Sequence, residues 1–247
     1  DIACAPMANL RISPISYAHK LILKGINPKK MIINFSTRDK NTLALQSEIL
    51  GAASMGISNL LLVKGDPISI GNSRKSKEVF ELKTNELISL VNNLNKGIDY
   101  SGNLINFNPK FTIGSTLNID LPLKNIQRTL IKREKIGSDF LITQPLYSEE
   151  DFANLSKLSK FSKCKIFAGI FPIKNKKTFK NLNSKIDGIN RNNILFDELK
   201  KSDEKDFLKI SSKYLIKLLK KYKKDLHGVH IMTAGDISLA SKISNEV

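Results

Sequence analysis

The sequence contains no tryptophan, only two cysteines and far fewer acidic than basic residues. Cys4 and Cys164 lack metal-type spacing and are typical of reduced thiols in the cytoplasm. Cys4 is interpreted as a small buried hydrophobic residue, with a reactive thiol as the less favoured alternative. No apolar run is long enough to cross a membrane, and no signal peptide is visible. The phosphate-binding, nucleophile-elbow and kinase motifs are also missing, which excludes P-loop chemistry and acyl transfer.

The net charge of +17 comes from 40 basic and 23 acidic residues. The lysines alternate with leucines at helical spacing, as in Lys205, Lys209, Lys213 and Lys217, and this pattern predicts a solvated helix face. No cluster of aromatic and basic residues suggests a platform for single-stranded nucleic acid. We therefore expect neither a nucleic-acid partner nor a membrane partner. The basic surface favours a polyanionic ligand such as a dinucleotide or a polyglutamate tail.

One unit repeats along the chain: a helix, a glycine, a short turn, an apolar strand and a polar residue at the strand's end. The pattern predicts helices at 13–25, 41–55, 84–95, 122–136, 148–163, 202–224 and 237–243, with short helical pieces in the polar stretch 173–200. Ser13 is expected to cap the first of these helices, and Ser148 to Asp151 to form a capping box at the fifth. It predicts strands near 32–36, 60–63, 111–113, 140–143, 165–170 and 229–232, and an exposed loop at 67–79. Polar tips after successive parallel strands indicate a (β/α)8 barrel with its site on one rim.

The number of predicted strands is smaller than the eight that a complete barrel needs. Six complete strands follow an opening stub at residues 1–4, so an eight-stranded barrel needs one more strand upstream, and a start at Asp1 suggests truncation. We expect a single barrel domain over residues 1–247 that lacks its first strand and helix. An open doubly wound sheet is the alternative, disfavoured because no glycine-rich dinucleotide turn follows any strand.

Three strand tips carry candidate chemistry. Asp66 follows Gly65 at the end of a long apolar strand, where a carboxylate can approach a ligand closely; a turn or cap is the alternative. Gln144 follows a buried strand and could read the edge of a heterocycle or only bond the backbone. Arg38 and Asp39 are expected to pair and cap the next helix, while Ser36 or Thr37 could contact phosphate or ribose. The histidines at 19, 227 and 230 are too scattered for a zinc site.

Read in order, these segments resemble the methylenetetrahydrofolate reductase family. The resemblance rests on short stretches spread over nearly the whole chain. They include Pro6-Met7-Ala8-Asn9, Thr37-Arg38-Asp39-Lys40-Asn41, Gly65-Asp66-Pro67, Phe111-Thr112-Ile113-Gly114, Thr143-Gln144-Pro145-Leu146-Tyr147 and Val229-His230-Ile231-Met232-Thr233. The form of the first two is most similar to the branch with reductase domains fused to homocysteine methyltransferases.

The resemblance implies a barrel that holds FAD and reduces 5,10-methylenetetrahydrofolate to 5-methyltetrahydrofolate with NAD(P)H, supplying methyl groups for methionine synthesis. It implies that Asp66 tunes the flavin and stabilises the cationic iminium form of the substrate, and that Gln144 hydrogen-bonds the pterin. Both are the implied catalytic and substrate-binding residues. The implied flavin-contacting residues are Asn34, Ser36, Lys64, Gly65, Asp66, Phe80, Gly114, Asn118, Lys132 and Arg133. No metal is implied, and a homo-oligomer is left open.

The chain departs from the family pattern in several places. Asn34 stands where histidine is usual, Ala3 where threonine contacts flavin, Arg133 where lysine is usual and Asp236 where some members carry a folate-binding arginine. Ile119 replaces a proline after Asn118. The family's general acid is a glutamate on the first strand, which this chain lacks. The alternative function is therefore a non-catalytic or repurposed flavin- or folate-binding barrel that acts with a partner protein.

Overall fold

The computed structural model of the chain describes residues 1–184, 189 and 192–247, so part of the predicted polar stretch 173–200 lies outside the described residues. The fold is α/β, with parallel strands that alternate with helices along the chain. The strands are β1 (Ile32–Ser36), β2 (Asn59–Val63), β3 (Thr112–Leu117), β4 (Phe140–Pro145), β5 (Lys165–Ile170) and β6 (Val229–Ile231). The described helices are α1 (Pro14–Leu23), α2 (Thr42–Ser54), α3 (Thr84–Leu94), α4 (Leu123–Lys135), α5 (Glu149–Phe161), α6 (Lys176–Ser184), α7 (Ile194–Lys201), α8 (Phe207–Tyr222) and α9 (Ile237–Glu246).

The chain divides into two compact units. The first comprises Asp1–Thr116 and Lys132–Phe140, and the second comprises Leu117–Ile131 and Leu141–Val247. Within the described residues, no helix is both long enough and apolar enough to span a bilayer.

In the first unit, β1, β2 and β3 lie side by side in that order, and both pairings are parallel. Ile2 extends this arrangement through a single parallel bridge to Ile33, which confirms the predicted opening stub. Alternation along each strand directs Ile33, Leu60 and Ile113 into a core with α2 and α3. The residues between them therefore face the other side of the sheet.

In the second unit, β4, β5 and β6 follow in order, and β5 pairs with β6 in parallel register. A separate core joins these strands to α5, α7, α8 and α9, with Phe152, Phe196 and Leu215 fully buried in it. The predicted capping box at the start of α5 is confirmed, because the Ser148 hydroxyl accepts the Asp151 N–H and the Asp151 carboxylate accepts the Ser148 N–H.

Three local predictions were wrong. Ser13 makes no side-chain cap at α1, although Pro14 does occupy the first turn. β3 does not stop at Gly114 but continues to Leu117, because the parallel register with β2 persists through Leu62 and Ser115. The loop at 67–79 is not wholly exposed, since residues 68–70 form a 3-10 turn and Ile68 is buried.

Candidate functional site

One row of residues crosses the first unit's sheet on the face opposite its helices. Asn34 pairs with Leu61, and Leu61 pairs with Gly114, so the three lie side by side on β1, β2 and β3. A Cβ atom at Gly114 would lie 2.1 Å from Cζ of Phe140, so only glycine leaves room for this ring. The Asn34 Oδ1 atom is buried and has no hydrogen-bond partner among the described residues. An unsatisfied acceptor on this face is suited to a ligand that donates a hydrogen bond.

Asp66 lies just beyond β2, and its position depends on Gly65. Gly65 has φ +87°, and a Cβ there would lie 3.0 Å from both Ser36 Oγ and the Arg38 Cβ. The glycine therefore lets the two strand tips approach more closely than any other residue type would allow. This geometry places Gly65, the residue before Asp66, against Ser36.

Arg38 connects the tips of β1 and β2. Its side chain is 2% exposed and binds Asp39 with two parallel hydrogen bonds, Nε to Oδ1 at 2.6 Å and Nη2 to Oδ2 at 2.7 Å. Nη1 donates to the Asp66 carbonyl oxygen at 3.0 Å, and the guanidinium also reaches the Ala5 carbonyl at 3.4 Å. The expected Arg38–Asp39 pair is thus confirmed. The helix cap is instead Asn41, whose Oδ1 accepts the Ala44 N–H at 2.9 Å.

A short turn at residues 6–8 contacts the Asp66 carboxylate. The Met7 backbone N–H donates to Asp66 Oδ2 at 2.6 Å. Ala5, Met7 and Ala8 have φ values of 39°, 53° and 51°, which lie in the left-handed region that residues other than glycine rarely adopt. Sequence reasoning missed this contact because a backbone donor leaves no side-chain signature. The uncommon backbone is held in place by the hydrogen bonds that it makes to the strand tips.

Lys64 and Phe80 lie at the same end of the first unit. Lys64 Nζ is 5.3 Å from the centre of the Phe80 ring, within range for a cation–π contact. Phe80 has φ 41°, and the preceding Val79 N–H donates to the Arg38 carbonyl at 2.7 Å. Arg38 therefore fixes the segment that carries Phe80 as well as the one that carries Asp66.

Lys132 and Arg133 occupy the last turn of α4 and also belong to the first unit. Lys132 is exposed, whereas Arg133 is half-buried, and its Nε and Nη1 atoms have no partner among the described residues. Burial lowers the pKa of the Arg133 guanidinium. A desolvated cation with open donors is a suitable binding group for a phosphate or another anion.

Asn118 and Gln144 belong to the second unit. The backbone around Gln144 is fixed, because the Thr143 hydroxyl donates to the Gln144 carbonyl at 2.8 Å and accepts the Gly169 N–H at 2.9 Å. The Gln144 side chain is half-buried and forms no hydrogen bond within the described ranges, so its amide is available to a ligand. The Asn118 side chain, in contrast, is occupied locally, with Oδ1 accepting the Asp120 N–H at 2.8 Å.

Within the described part of the chain, the cysteines and histidines form no reactive cluster. Burial raises the pKa of the Cys4 thiol, which works against its use as a nucleophile. Burial lowers the pKa of His230 to about 4, so this ring is neutral near pH 7. Among residues 1–184, 189 and 192–247, no group of three histidine, cysteine or acidic side chains could hold a metal ion.

The parallel strands with polar residues at their ends define an α/β protein with a candidate ligand-binding site. A family model described as methylenetetrahydrofolate reductase matches residues 22–247, and the chain belongs to that family. No curated protein matches the chain. A solved structure described as an uncharacterized protein from Clostridium thermocellum that binds two copies of 5-methyl-5,6,7,8-tetrahydrofolic acid is 15% identical. The alignment covers 87% of this chain and 92% of that one, with a TM-score of 0.46.

Proposed function

We propose that this protein is a flavin-dependent reductase with a (β/α)8 barrel fold, which converts 5,10-methylenetetrahydrofolate to 5-methyltetrahydrofolate at the expense of NAD(P)H. The main support is membership of the methylenetetrahydrofolate reductase family over residues 22–247. The geometry of the strand tips adds to it, because Asp66 follows a buried strand and is placed by Gly65 and Arg38. In (β/α)8 barrels, the ligand-binding and catalytic groups lie at the C-terminal ends of the parallel strands, which is the position of the Asp66 carboxylate.

The residues of the first unit fit a flavin dinucleotide in their chemistry. Among the described residues, Arg133 offers two buried donors without partners, which suit an anionic pyrophosphate, and Asn34 offers a buried acceptor without a partner, which suits a ring N–H. Lys64 and Phe80 lie at the same end of the unit as Gly65. When bound, FAD supplies hydride transfer between the nicotinamide and the folate.

Asp66 contributes a fixed negative charge. Its Oδ2 atom already accepts the Met7 N–H, and its carbonyl oxygen accepts from Arg38, so the carboxylate is held in one place. A preorganised negative charge stabilises the cationic iminium form of the folate without reorganisation during the reaction. In the second unit, the Gln144 amide can donate to and accept from the pterin edge, which orients this substrate.

The proposal is tested first by cofactor uptake. The protein, mixed with FAD and freed of unbound ligand, should retain a flavin absorption band that NADH or NADPH bleaches without oxygen. A protein that retains no flavin, or whose flavin neither nucleotide reduces, contradicts the proposal. Retained flavin that neither NADH nor NADPH reduces supports the alternative of a non-catalytic barrel.

Asp66 is tested by separating the two half-reactions. We expect Asp66→Asn to slow the folate half-reaction on the order of 100-fold while it changes reduction by NAD(P)H much less. Asp203→Asn, at an exposed carboxylate of the second unit, is the control and should change neither rate. Equal losses in both half-reactions for Asp66→Asn would show that the carboxylate has no special role toward the folate.

A further inference from the structure

Two grooves in the second unit share one row of lysines on α8. Lys209, Lys213 and Lys217 recur every four residues and line both grooves, one of about 910 Å³ between α8 and α9 and one of about 450 Å³ beside α7. Four residues of helix rise about 6 Å, so the three charges form a straight ridge. The ridge lies outside the candidate site described above.

The larger groove combines a basic wall with an apolar floor. Its lysines outnumber its two carboxylates and are Lys205, Lys209, Lys213, Lys217, Lys220 and Lys242. The floor is formed by Leu208, which is half-buried, and by Ile216, Leu239 and Ile243, which are 8%, 8% and 1% exposed. One of the two carboxylates, Asp236, is already bound to Lys174 with an Nζ to Oδ2 distance of 2.9 Å, so the groove has a strong positive excess.

The lysines of the ridge form no close ion pairs with described residues, although Glu198 and Asp206 line the smaller groove. The pKa of Glu149 is lowered by its hydrogen bond from Lys221 and, to a smaller extent, by the charge of Lys217. Within the described part of the chain, no ion pair involves Lys209, Lys213, Lys217, Lys220 or Lys242. All five are exposed, which leaves their charges available to a partner. Unpaired like charges along one helix repel one another, and an acidic partner removes that repulsion.

We propose that the groove between α8 and α9 is a docking surface for an acidic amphipathic helix of another protein. Such a helix places its apolar stripe on the leucine and isoleucine floor and its carboxylates against the lysine wall. A nucleic acid matches the charge but not the floor, because its phosphate backbone has no apolar stripe. A second copy of the chain is disfavoured because each copy carries a net charge of +17.

The test uses a designed probe and does not depend on the proposed reductase activity. A fluorescein-labelled peptide of about 18 residues carries leucine at i, i+3, i+4 and i+7 and glutamate on its other faces. Fluorescence anisotropy with the whole chain should show binding that weakens as NaCl is raised. A peptide of the same composition in scrambled order should bind at least about tenfold more weakly, because it has no continuous apolar stripe.

Charge reversal locates the site. We expect the triple variant Lys209→Glu, Lys213→Glu and Lys217→Glu to raise the Kd at least about tenfold, while its circular dichroism and thermal midpoint stay close to those of the parent. The matched control reverses Lys24, Lys29 and Lys30, which are exposed lysines of the first unit, and should change the Kd less than about threefold.

Four results overturn the proposal. They are no binding of the amphipathic peptide, equal binding of the scrambled peptide, equal loss in both triple variants, and tighter binding of a single-stranded DNA of about 20 nucleotides than of the peptide. The last result favours a nucleic-acid surface. The second would mean that the apolar floor takes no part in binding.

Discussion

Replacing Gly65 by alanine tests whether the tips of β1 and β2 require a residue without a side chain. The added Cβ would lie 3.0 Å from Ser36 Oγ, 3.1 Å from Ser36 Cβ and 3.0 Å from Arg38 Cβ, each tighter than an ordinary contact. The backbone there has φ +87°, which costs an L-residue about 1–2 kcal/mol, and the crowding adds about 1–3 kcal/mol. We expect the free energy of unfolding to fall by about 2–5 kcal/mol.

Gly25 provides a matched control for this substitution. Its φ is +82°, close to that of Gly65, but a Cβ there would meet nothing within 4 Å. Gly25→Ala should therefore carry only the backbone cost of about 1–2 kcal/mol. The difference between the two variants measures the contact with Ser36 and Arg38.

Urea unfolding followed by circular dichroism measures both variants, provided that the dependence on urea keeps the same slope. Adding Ser36→Gly should recover part of the loss in Gly65→Ala and none in Gly25→Ala, a coupling of about 1 kcal/mol or more. Equal destabilisation of Gly65→Ala and Gly25→Ala would refute the reasoning, since the crowding at the strand tips would then contribute nothing.

Three further predictions concern ionisable side chains that are wholly or partly buried. Arg38→Lys should lower the free energy of unfolding by about 2–4 kcal/mol in the same urea assay, because lysine cannot form the paired hydrogen bonds of a guanidinium. The control Arg128→Lys, at an exposed position of α4, should leave the free energy of unfolding unchanged. Because burial holds the pKa of His230 near 4, the stability of the folded protein should fall as the pH drops from about 6.5 towards 4. In thermal melts, His230→Gln should reduce this dependence of the melting temperature on pH, whereas His19→Gln, at an exposed position, should not. Arg133→Met should stabilise the protein without ligand by about 1 kcal/mol yet weaken FAD binding, and a loss of stability in both states would contradict an open anion site.

Much of the fold was predictable from the sequence because strand and helix periods are local properties. Six complete strands and an opening bridge at Ile2 were expected and are present. Two of the errors, at Ser13 and Gly114, occurred where the residue type has more than one common role. Gly114 was interpreted as the end of a strand, but the residue lies inside β3 and makes room for the Phe140 ring. Such a contact depends on tertiary packing, which a sequence period does not encode.

The candidate site shows the same division between local and distant information. The position of Asp66 after β2 and the pairing of Arg38 with Asp39 follow from neighbouring residues, and both are observed. The bond from Met7 N–H to Asp66 joins residues 59 positions apart and uses a backbone donor, so no residue type announces it. The same is true of the two further carbonyl groups that Arg38 binds.

The hydrogen bonds of the first unit are distributed unevenly, and this unevenness has a functional consequence. The Met7 N–H binds the Asp66 carboxylate and Arg38 binds the Asp66 carbonyl, whereas Asn34 and Arg133 retain buried polar atoms that no described residue pairs with. Unsatisfied buried groups lower the stability of the protein alone, since each lacks the hydrogen bonds that water gave it in the unfolded chain. A ligand that supplies those bonds to the folded state raises its stability by an amount that grows with the logarithm of the ligand concentration above its Kd. The groups that weaken the empty protein are thus the ones through which a cofactor would stabilise it, whereas Asp66 keeps its position whether or not a ligand is bound.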